Sequence, residues 1–237
     1  MADYRNFEHY LSASKKVEPK ETFKGIVRFI NQLGLKDGAS ILDVGCAAGE
    51  LLSYLRGVYP TFNLVGIDVF DQLLEAAKKQ VPEADFMNAS ALNLPENFNE
   101  KFDIVTAVGV MSIFDENQLE KLWVNLLNAT RVGGTIIVLS PLNEYGVDTV
   151  TRHRKRRNGR MLDWESGWNI FSIQTVSEIL LGLGQKIEVE RFVFKSNLYP
   201  VEDPVRTWTL PTKDQPYQLT NGLKLLVDHY FMLVKKV

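Results

Sequence analysis

The sequence is poor in the residues that support several common kinds of chemistry. Its 237 residues include one cysteine, Cys46, and only three histidines. A single cysteine excludes an intramolecular disulfide and is typical of a reducing compartment, so we expect a cytoplasmic protein. No cysteine–histidine cluster and no pair of acidic residues has the spacing of metal ligands, so we predict no metal site.

Long apolar runs and a large net charge are also missing. No apolar run approaches the ~20 residues of a transmembrane helix, and the first residues contain no apolar core of a signal peptide. The net charge is −2, so no global field draws the chain to nucleic acid or to an anionic membrane. We therefore expect no membrane span, and the charge does not favour a nucleic-acid partner. The chain is expected to be a monomer or a homodimer.

What the sequence does contain is an alternation of short apolar runs with helical patterns. Apolar runs that predict strands are "ILDV", "NLVGID", "FDIVTAVGV" and "TIIVLSP". Helical patterns lie at residues 22–33, at 50–59, after Asp71 as an expected N-cap, after Asp115 with Gln118 as a capping box, and after Ser172. Gly133 and Gly134 are expected to end the fourth helix. This alternation predicts an α/β fold with a parallel sheet covered on both faces.

The regular alternation fails twice in the second half of the chain. Residues 141–170 show no clear strand, and residues 196–221 are also irregular. We find no repeat and no clear linker, so we predict a single domain over residues 1–237. In it, residues 1–34 form an N-terminal helical cap, and the two irregular stretches, 141–170 and 196–221, are insertions.

A turn of small residues follows the first predicted strand, in "ILDVGCAAGE". A phosphate-binding loop would need a lysine followed by serine or threonine, which this turn does not have. The dinucleotide fingerprint places glycine or alanine where Glu50 stands, and a carboxylate there repels a phosphate. A ligand with adenosine but no phosphate fits better, because Asp68 ends the second strand and suits two ribose hydroxyls. A dehydrogenase and a domain that binds no ligand remain as alternatives.

Five segments in this order resemble the class I S-adenosylmethionine-dependent methyltransferases. They are "ILDVGCAAG", "LVGIDVF", "FMNASALNLP", "FDIVTAVGV" and "ATRVGGTIIVLSP". The resemblance implies a seven-stranded, mostly parallel, doubly wound sheet with helices on both faces and an antiparallel last strand. It implies S-adenosylmethionine as cofactor, S-adenosylhomocysteine as product, and a small molecule as methyl acceptor.

The resemblance also implies which residues hold the cofactor. Asp43 would orient the turn and face the amino-acid part of the cofactor, and Asp68 would accept hydrogen bonds from both ribose hydroxyls. The other expected contacts are Gly45, Cys46, Ala47 and Gly49 with the methionine and ribose, Val69, Ser90 and Ala91 with the adenine, and Val108 under the methionine. Ala47 and Ser90 depart from the family, which often has glycine and aspartate at these positions. Cys46 has no flanking base and is interpreted as a small packing residue.

The catalytic base and the acceptor are less well defined. Many small-molecule members of the family have a histidine shortly after the fourth strand, but here the segment reads Met111 to Phe114. Of the three histidines, His9 is the best candidate near the acceptor. An acceptor that is already ionised would need no base.

A dense basic run, "TRHRKRRNGR", lies in the first insertion and is followed by two tryptophans. It is either a solvated face, an RNA- or membrane-binding patch, or a lid in which Arg152, Arg156 and Trp168 close over an anionic acceptor such as a carboxylate, phosphate or sugar derivative. We therefore predict methyl transfer to a small anionic molecule. An RNA methyltransferase and a non-catalytic cofactor-binding scaffold are the alternatives.

Overall fold

A computed structural model describes residues 19–200, 206–223 and 225–236, and its centre is one large twisted sheet. The helices are α1 (Glu21–Gln32), α2 (Glu50–Val58), α3 (Asp71–Gln80), α4 (Glu116–Ala129) and α5 (Ile173–Gly182). The strands are β1 (Ser40–Val44), β2 (Asn63–Asp68), β3 (Asp85–Asn88), β4 (Phe102–Val108), β5 (Thr130–Asn143), β6 (Arg152–His153), β7 (Arg156–Arg157), β8 (Arg160–Met161), β9 (Glu165–Ser166), β10 (Phe171–Ser172), β11 (Ile187–Phe192), β12 (Trp208–Leu210), β13 (Gln218–Thr220) and β14 (Asp228–Lys235).

The main sheet has the strand order β11-β14-β5-β4-β1-β2-β3. Strand β14 is antiparallel to both of its neighbours, β5 and β11, while the pairs from β5 to β3 are parallel. The predicted seven-stranded fold with an antiparallel last strand is therefore confirmed. The two-residue β10 adds an eighth strand, parallel to β5 at Leu142 and Asn143, just beyond the end of β4. Strand order reverses between β1 and β4, which is where such sheets bind ligands.

Apolar side chains cover both faces of the sheet, as the alternation of strands and helices requires. Helices α1, α2 and α3 pack on one face through residues such as Ile26, Leu52 and Leu74. Helices α4 and α5 pack on the other face through residues such as Trp123 and Val176. Because both faces are buried, the ligand-binding positions left to the sheet are the ends of its strands.

The helix caps agree with the sequence at two positions and differ at a third. Asp115 and Gln118 form the expected capping box of α4, and the Ser172 hydroxyl caps α5 by accepting from the Thr175 amide. Asp71 was the wrong cap for α3, because the N-cap is Phe70 and makes no side-chain bond. The Asp71 carboxylate instead accepts a hydrogen bond of 2.7 Å from the Asn88 side chain, which ties α3 to β3.

The end of α4 also differs from the expectation. The helix stops at Ala129, and β5 begins at Thr130, so Gly133 and Gly134 lie inside the strand rather than ending the helix. The physical reason lies in Thr130, whose hydroxyl donates to the Leu126 carbonyl at 2.7 Å while its backbone is already extended. The helix therefore passes directly into the strand without a turn.

Residues 149–170, here called the arm, correct the expectation that residues 141–170 contain no strand. Its backbone pairs with itself as an antiparallel hairpin, through Thr149 with Ile170, through β6 with β9 and through β7 with β8. Asn158 and Gly159 form the tip, both with positive φ, as a two-residue hairpin turn requires. The arm follows the carboxyl end of β5 after a short connection.

The second irregular stretch contains a smaller hairpin, in which β12 pairs with β13. It lies within the predicted insertion at 196–221. The predicted N-terminal cap is represented by α1, while residues 1–18 lie outside the described residues. The division into one domain with two insertions stays a prediction.

Candidate active site

The small-residue turn after β1 bends across to the end of β2. The backbone amides of Gly45 and Cys46 both donate to the Ile67 carbonyl, at 2.8 and 2.9 Å. Gly45 has a φ of 73°, and a Cβ on it would lie 2.5 Å from Cγ2 of Val110. Glycine is therefore required at this position both by backbone conformation and by space.

The second glycine of the turn, Gly49, is the N-cap of α2 and also has positive φ. A Cβ there would lie 3.0 Å from Cβ of Ala77, so the turn packs tightly on α3. Glu50 begins α2 and forms an ion pair with Lys20 at the start of α1. A carboxylate at the start of this helix disfavours a bound phosphate, in agreement with the interpretation of the sequence.

Asp68 at the end of β2 lies beside this turn. Its two carboxylate oxygens accept backbone hydrogen bonds, one from Ala47 at 3.0 Å and one from Phe70 at 3.1 Å. The residue is 9% exposed, and burial raises the pKa of its carboxyl group, while the backbone donors oppose that shift. These two bonds fix the carboxylate, and each oxygen keeps a lone pair for a ligand hydroxyl.

Asp43 lies one strand away, within β1, and is also buried. The Thr106 hydroxyl on β4 donates to its Oδ1 at 2.8 Å. Burial raises the pKa of Asp43 to about 7, the Thr106 hydrogen bond opposes this shift, and the negative charge of Asp68 adds to it. Asp43 therefore titrates near neutral pH in the free protein.

This pKa predicts a pH-dependent affinity for the cationic cofactor expected from the sequence. A positive charge near Asp43 favours its ionised form, so affinity should rise about tenfold from pH 6 to pH 8, as the ionised fraction rises. The change Asp43→Asn should weaken binding and remove most of this pH dependence. Calorimetry at four pH values checks both statements, and an equal pH dependence in the variant would contradict them.

The raised pKa of Asp43 also affects the stability of the free protein, which falls as pH rises, whereas the cofactor affinity rises. The folded pKa of Asp43 lies above its unfolded value of 3.8, so the folded state binds more protons between these values. The resulting stabilisation is complete below pH 3.8 and is lost as pH rises through about 7. Cofactor binding would offset this loss by supplying the missing positive charge.

The Cys46 thiol is buried in the same turn. Burial, followed by the charges of Asp43 and Asp68, raises its pKa far above the usual range. A thiolate nucleophile is disfavoured here, which fits the interpretation of Cys46 as a packing residue.

The residues expected around the adenine lie along the ends of β2 and β3. Val69 follows Asp68 and is half exposed, and its carbonyl accepts from the Asn88 side chain. The Ser90 hydroxyl accepts from the Leu92 amide at 3.2 Å, so it is partly engaged in its own turn. Ala91 is buried, and the Asn125 side chain on α4 donates to its carbonyl at 2.9 Å. Val108, expected under the methionine, is the last residue of β4.

Three of the four expected acceptor residues lie in the arm. His9 lies outside the described residues. Arg152 and Arg156 are exposed on the arm, while Trp168 lies at its base with a φ of 61°. Their roles in acceptor binding stay predictions.

Asn169 is a structural residue that the sequence did not single out. It is fully buried, its side chain donates to the Phe114 carbonyl at 2.7 Å, and it accepts from the Thr151 amide at 2.8 Å. Its own amide donates to the Ser112 carbonyl at 2.9 Å. Asn169 therefore fastens the base of the arm to the segment after β4. An isolated asparagine among aromatic residues carries no sequence signal for this role.

The sequence also did not indicate the positions of two further polar residues, Thr106 and His229. Thr106 orients Asp43. Because threonine is common within strands, its presence in the sequence does not indicate this role. His229 on β14 lies opposite Pro141 at the carboxyl end of β5, and its Nδ1 is buried without a hydrogen-bond partner among the described residues. Burial lowers the pKa of His229 to about 4, so this histidine is neutral at pH 7.

Within residues 19–200, 206–223 and 225–236, no group of three histidine, cysteine or acidic residues is placed to hold a metal ion. No helix in these ranges is both long and apolar enough to cross a membrane.

Comparison with known proteins agrees with this geometry. Residues 41–134, from β1 into β5, match the family described as "Methyltransferase domain". An S-adenosylmethionine-dependent methyltransferase from Clostridium acetobutylicum has a TM-score of 0.62 at 16% identity, and the match covers 98% of each chain. The DhpI–SAH complex has the same TM-score at 11% identity, with 97% of this chain and 94% of that chain covered. Residues 41–134 are therefore similar to the methyltransferase domain family, and the likeness to these two solved structures shows a shared fold.

Curated proteins that are similar to part of this chain are named for different acceptors. The tRNA (carboxymethyluridine(34)-5-O)-methyltransferase of Saccharomyces cerevisiae is 29% identical over 129 residues, which are 54% of this chain and 44% of the relative. The tRNA (guanine-N(7)-)-methyltransferase of Clostridium botulinum is 30% identical over 88 residues, 37% of this chain and 38% of the relative. The chain thus spans about two fifths of the length of these relatives. The arm lies beyond the family match.

Proposed function

We propose that the chain transfers a methyl group from S-adenosylmethionine to an acceptor. Two neighbouring features carry this proposal. A small-residue turn follows β1, next to the point where strand order reverses, and a fixed, buried carboxylate lies beside it at the end of β2. Asp68 offers free lone pairs to a ribose, and the turn beside it is held in place by Val110 against Gly45 and by Ala77 against Gly49. The carboxylate of Glu50 at the start of α2 supports a ligand without phosphate.

In this proposal the residues named from the family resemblance hold the cofactor. Asp68 binds the ribose, Val69 lies against the adenine, and Asp43 faces the amino-acid part. The remaining contacts are those of Gly45, Cys46, Ala47 and Gly49 with the methionine and ribose, of Ser90 and Ala91 with the adenine, and of Val108 with the methionine.

The bound cofactor supplies a methyl group that its sulfonium already activates. The task of the chain is then to bind, align and exclude water. Holding two reactants in attack geometry lowers a barrier by roughly 7–11 kcal/mol. Tight packing around the turn, with Val110 against Gly45 and Ala77 against Gly49, supports a fixed cofactor position.

For the acceptor we propose an anionic molecule, with a small carboxylate, phosphate or sugar derivative as the first candidate. Exposed arginines on the arm support negative charge in the acceptor, since guanidinium groups bind carboxylates and phosphates bidentately. The names of the yeast and clostridial relatives favour RNA as the second candidate.

The transfer itself is tested by binding and turnover. Calorimetry should show one S-adenosylmethionine per chain, and S-adenosylhomocysteine should form with at least one member of a panel of carboxylates, sugar phosphates and RNA. Absence of cofactor binding at 1 mM would contradict the proposal. Cofactor binding without turnover on the whole panel would favour a non-catalytic scaffold.

The double variant Arg152→Glu with Arg156→Glu tests the anionic acceptor. We expect unchanged affinity for the cofactor, because these side chains are exposed on the arm, and a KM for the acceptor at least tenfold higher. The control is Lys79→Glu with Lys121→Glu, which changes net charge equally on exposed helix surfaces. A KM for the acceptor that is unchanged in the arm variant would mean that the arm is only a solvated face.

A further inference from the structure

The arm presents three arginines on one outward face. Arg152, Arg154 and Arg156 are exposed, whereas His153 and Lys155 between them are half-buried. This alternation is that of an extended strand, in which every second side chain points to the same side. Successive guanidinium groups therefore start about 7 Å apart along the strand.

An aromatic ring lies among these arginines. Because His153 pairs with Glu165, Arg154 is opposite Trp164 on the returning strand. The guanidinium carbons of Arg152 and Arg154 lie 5.7 and 5.0 Å from the ring of Trp164, within the range of cation–π contacts. The tryptophan is still 52% exposed, so part of its ring is open to a ligand.

These arginines lack the carboxylate partners that other arginines have. Arg28, Arg131 and Arg191 each form an ion pair. No carboxylate in the described part of the chain forms an ion pair with Arg152, Arg154 or Arg156. Of the two acids on the returning strand, Glu165 lies 3.5 Å from His153, and Asp163 is exposed and forms no ion pair with these arginines. The face therefore carries uncompensated positive charge, although the whole chain is slightly acidic.

The distribution of this charge favours a long ligand, and thus the second acceptor candidate over the small anion that was named first. A small anion is held by donors that converge on one point, usually partly buried. Here the three arginines follow one another along a strand and are exposed, so each can meet a different phosphate. A positive strip with an accessible aromatic ring is the arrangement that binds single-stranded nucleic acid, with phosphates on the cations and a base on the ring.

We propose that this outer face of the arm docks single-stranded RNA, with phosphates at Arg152, Arg154 and Arg156 and a base on Trp164. The arm begins at the end of β5, and Asn169 fastens its base to the segment after β4. RNA held on the arm is thus led towards the carboxyl ends of the strands. The role of that RNA as methyl acceptor rests on the proposed function, whereas docking does not.

The test is fluorescence anisotropy with a labelled twelve-nucleotide oligouridine RNA and the full chain. We expect a micromolar Kd at 50 mM KCl. Neutralising three phosphates on a single strand should give a slope of log K against log salt of about −2. The variant with glutamate at all three arginine positions, Arg152→Glu, Arg154→Glu and Arg156→Glu, should bind at least thirtyfold more weakly with a slope near zero. Trp164→Ala should lose about 5- to 100-fold through stacking.

Matched controls keep each outcome decisive. Lys79→Glu, Lys121→Glu and Lys186→Glu together change net charge equally on exposed surfaces outside the arm and should retain RNA binding. Circular dichroism and cofactor affinity report whether the arm variants are folded. RNA binding that is absent in the wild type, or equal in wild type and arm variant, overturns the proposal. Arm-dependent binding to vesicles with 25% phosphatidylglycerol but not to RNA also overturns it.

Failure of docking and failure of methyl transfer are distinguishable. If the chain binds S-adenosylmethionine but not the RNA, the docking proposal is wrong and the proposed function stands. If the RNA binds through the arm but the cofactor does not bind at all, docking stands and methyl transfer is wrong.

Discussion

The variant Gly45→Ala is expected to lose cofactor binding by at least a hundredfold while the chain remains folded. Any Cβ at this position lies 2.5 Å from the Val110 side chain, and the φ of 73° is one that alanine rarely adopts. The turn must then move, and with it the backbone that approaches the cofactor. Calorimetry with S-adenosylmethionine measures the loss.

A second variant separates the clash from the backbone strain. In Gly45→Ala with Val110→Ala the clashing methyl group is removed, so part of the affinity should return, while the positive φ still limits recovery. Gly57→Ala is the control, since a Cβ there meets nothing within 4 Å and its φ is ordinary. Unchanged affinity in Gly45→Ala would show that the cofactor lies elsewhere.

The second large effect is expected for Asp68→Ala, which should weaken cofactor binding at least tenfold. In the proposed site the change removes the acceptor of two ribose hydrogen bonds, each worth about 1.5–3 kcal/mol with a charged group. It also frees the amides of Ala47 and Phe70, which hold the turn against the end of β2. The affinity for S-adenosylhomocysteine should fall in parallel, because both ligands share the ribose.

Two variants control for position and charge. Asp68→Asn keeps one acceptor oxygen and should lose less affinity than the alanine variant. Asp71→Ala removes an exposed carboxylate three residues away, whose hydrogen bond is with Asn88. It should leave the Kd nearly unchanged. Equal effects at both aspartates would mean that Asp68 acts only through net charge.

The half of the fold that contains the proposed cofactor site could be predicted because its signals are local. The apolar strand Ile41–Val44, the small turn and the helix that follows are each encoded by adjacent residues. The capping box of Asp115 and Gln118 is equally local. Such patterns position Asp68 next to the turn without knowledge of the rest of the chain.

The arm could not be predicted because its strands are short and polar. Its pairs of two residues are stable only through cross-strand bonds and through the buried Asn169 at its base. The one local signal was the Asn158–Gly159 dipeptide, which is typical of hairpin turns but lacked flanking apolar residues. Asp71 was wrongly expected to cap α3 for a related reason, since its carboxylate bonds to Asn88 on β3, which is distant in sequence.

The central claim, that the turn after β1 and Asp68 hold the cofactor, is tested most directly by a crystal structure with S-adenosylhomocysteine. The account predicts one molecule across the ends of β1 and β2. Both ribose hydroxyls should lie within hydrogen-bond distance of the Asp68 carboxylate, and the amino-acid part should lie near Asp43. A ligand bound elsewhere, or a ribose that does not contact Asp68, would contradict it.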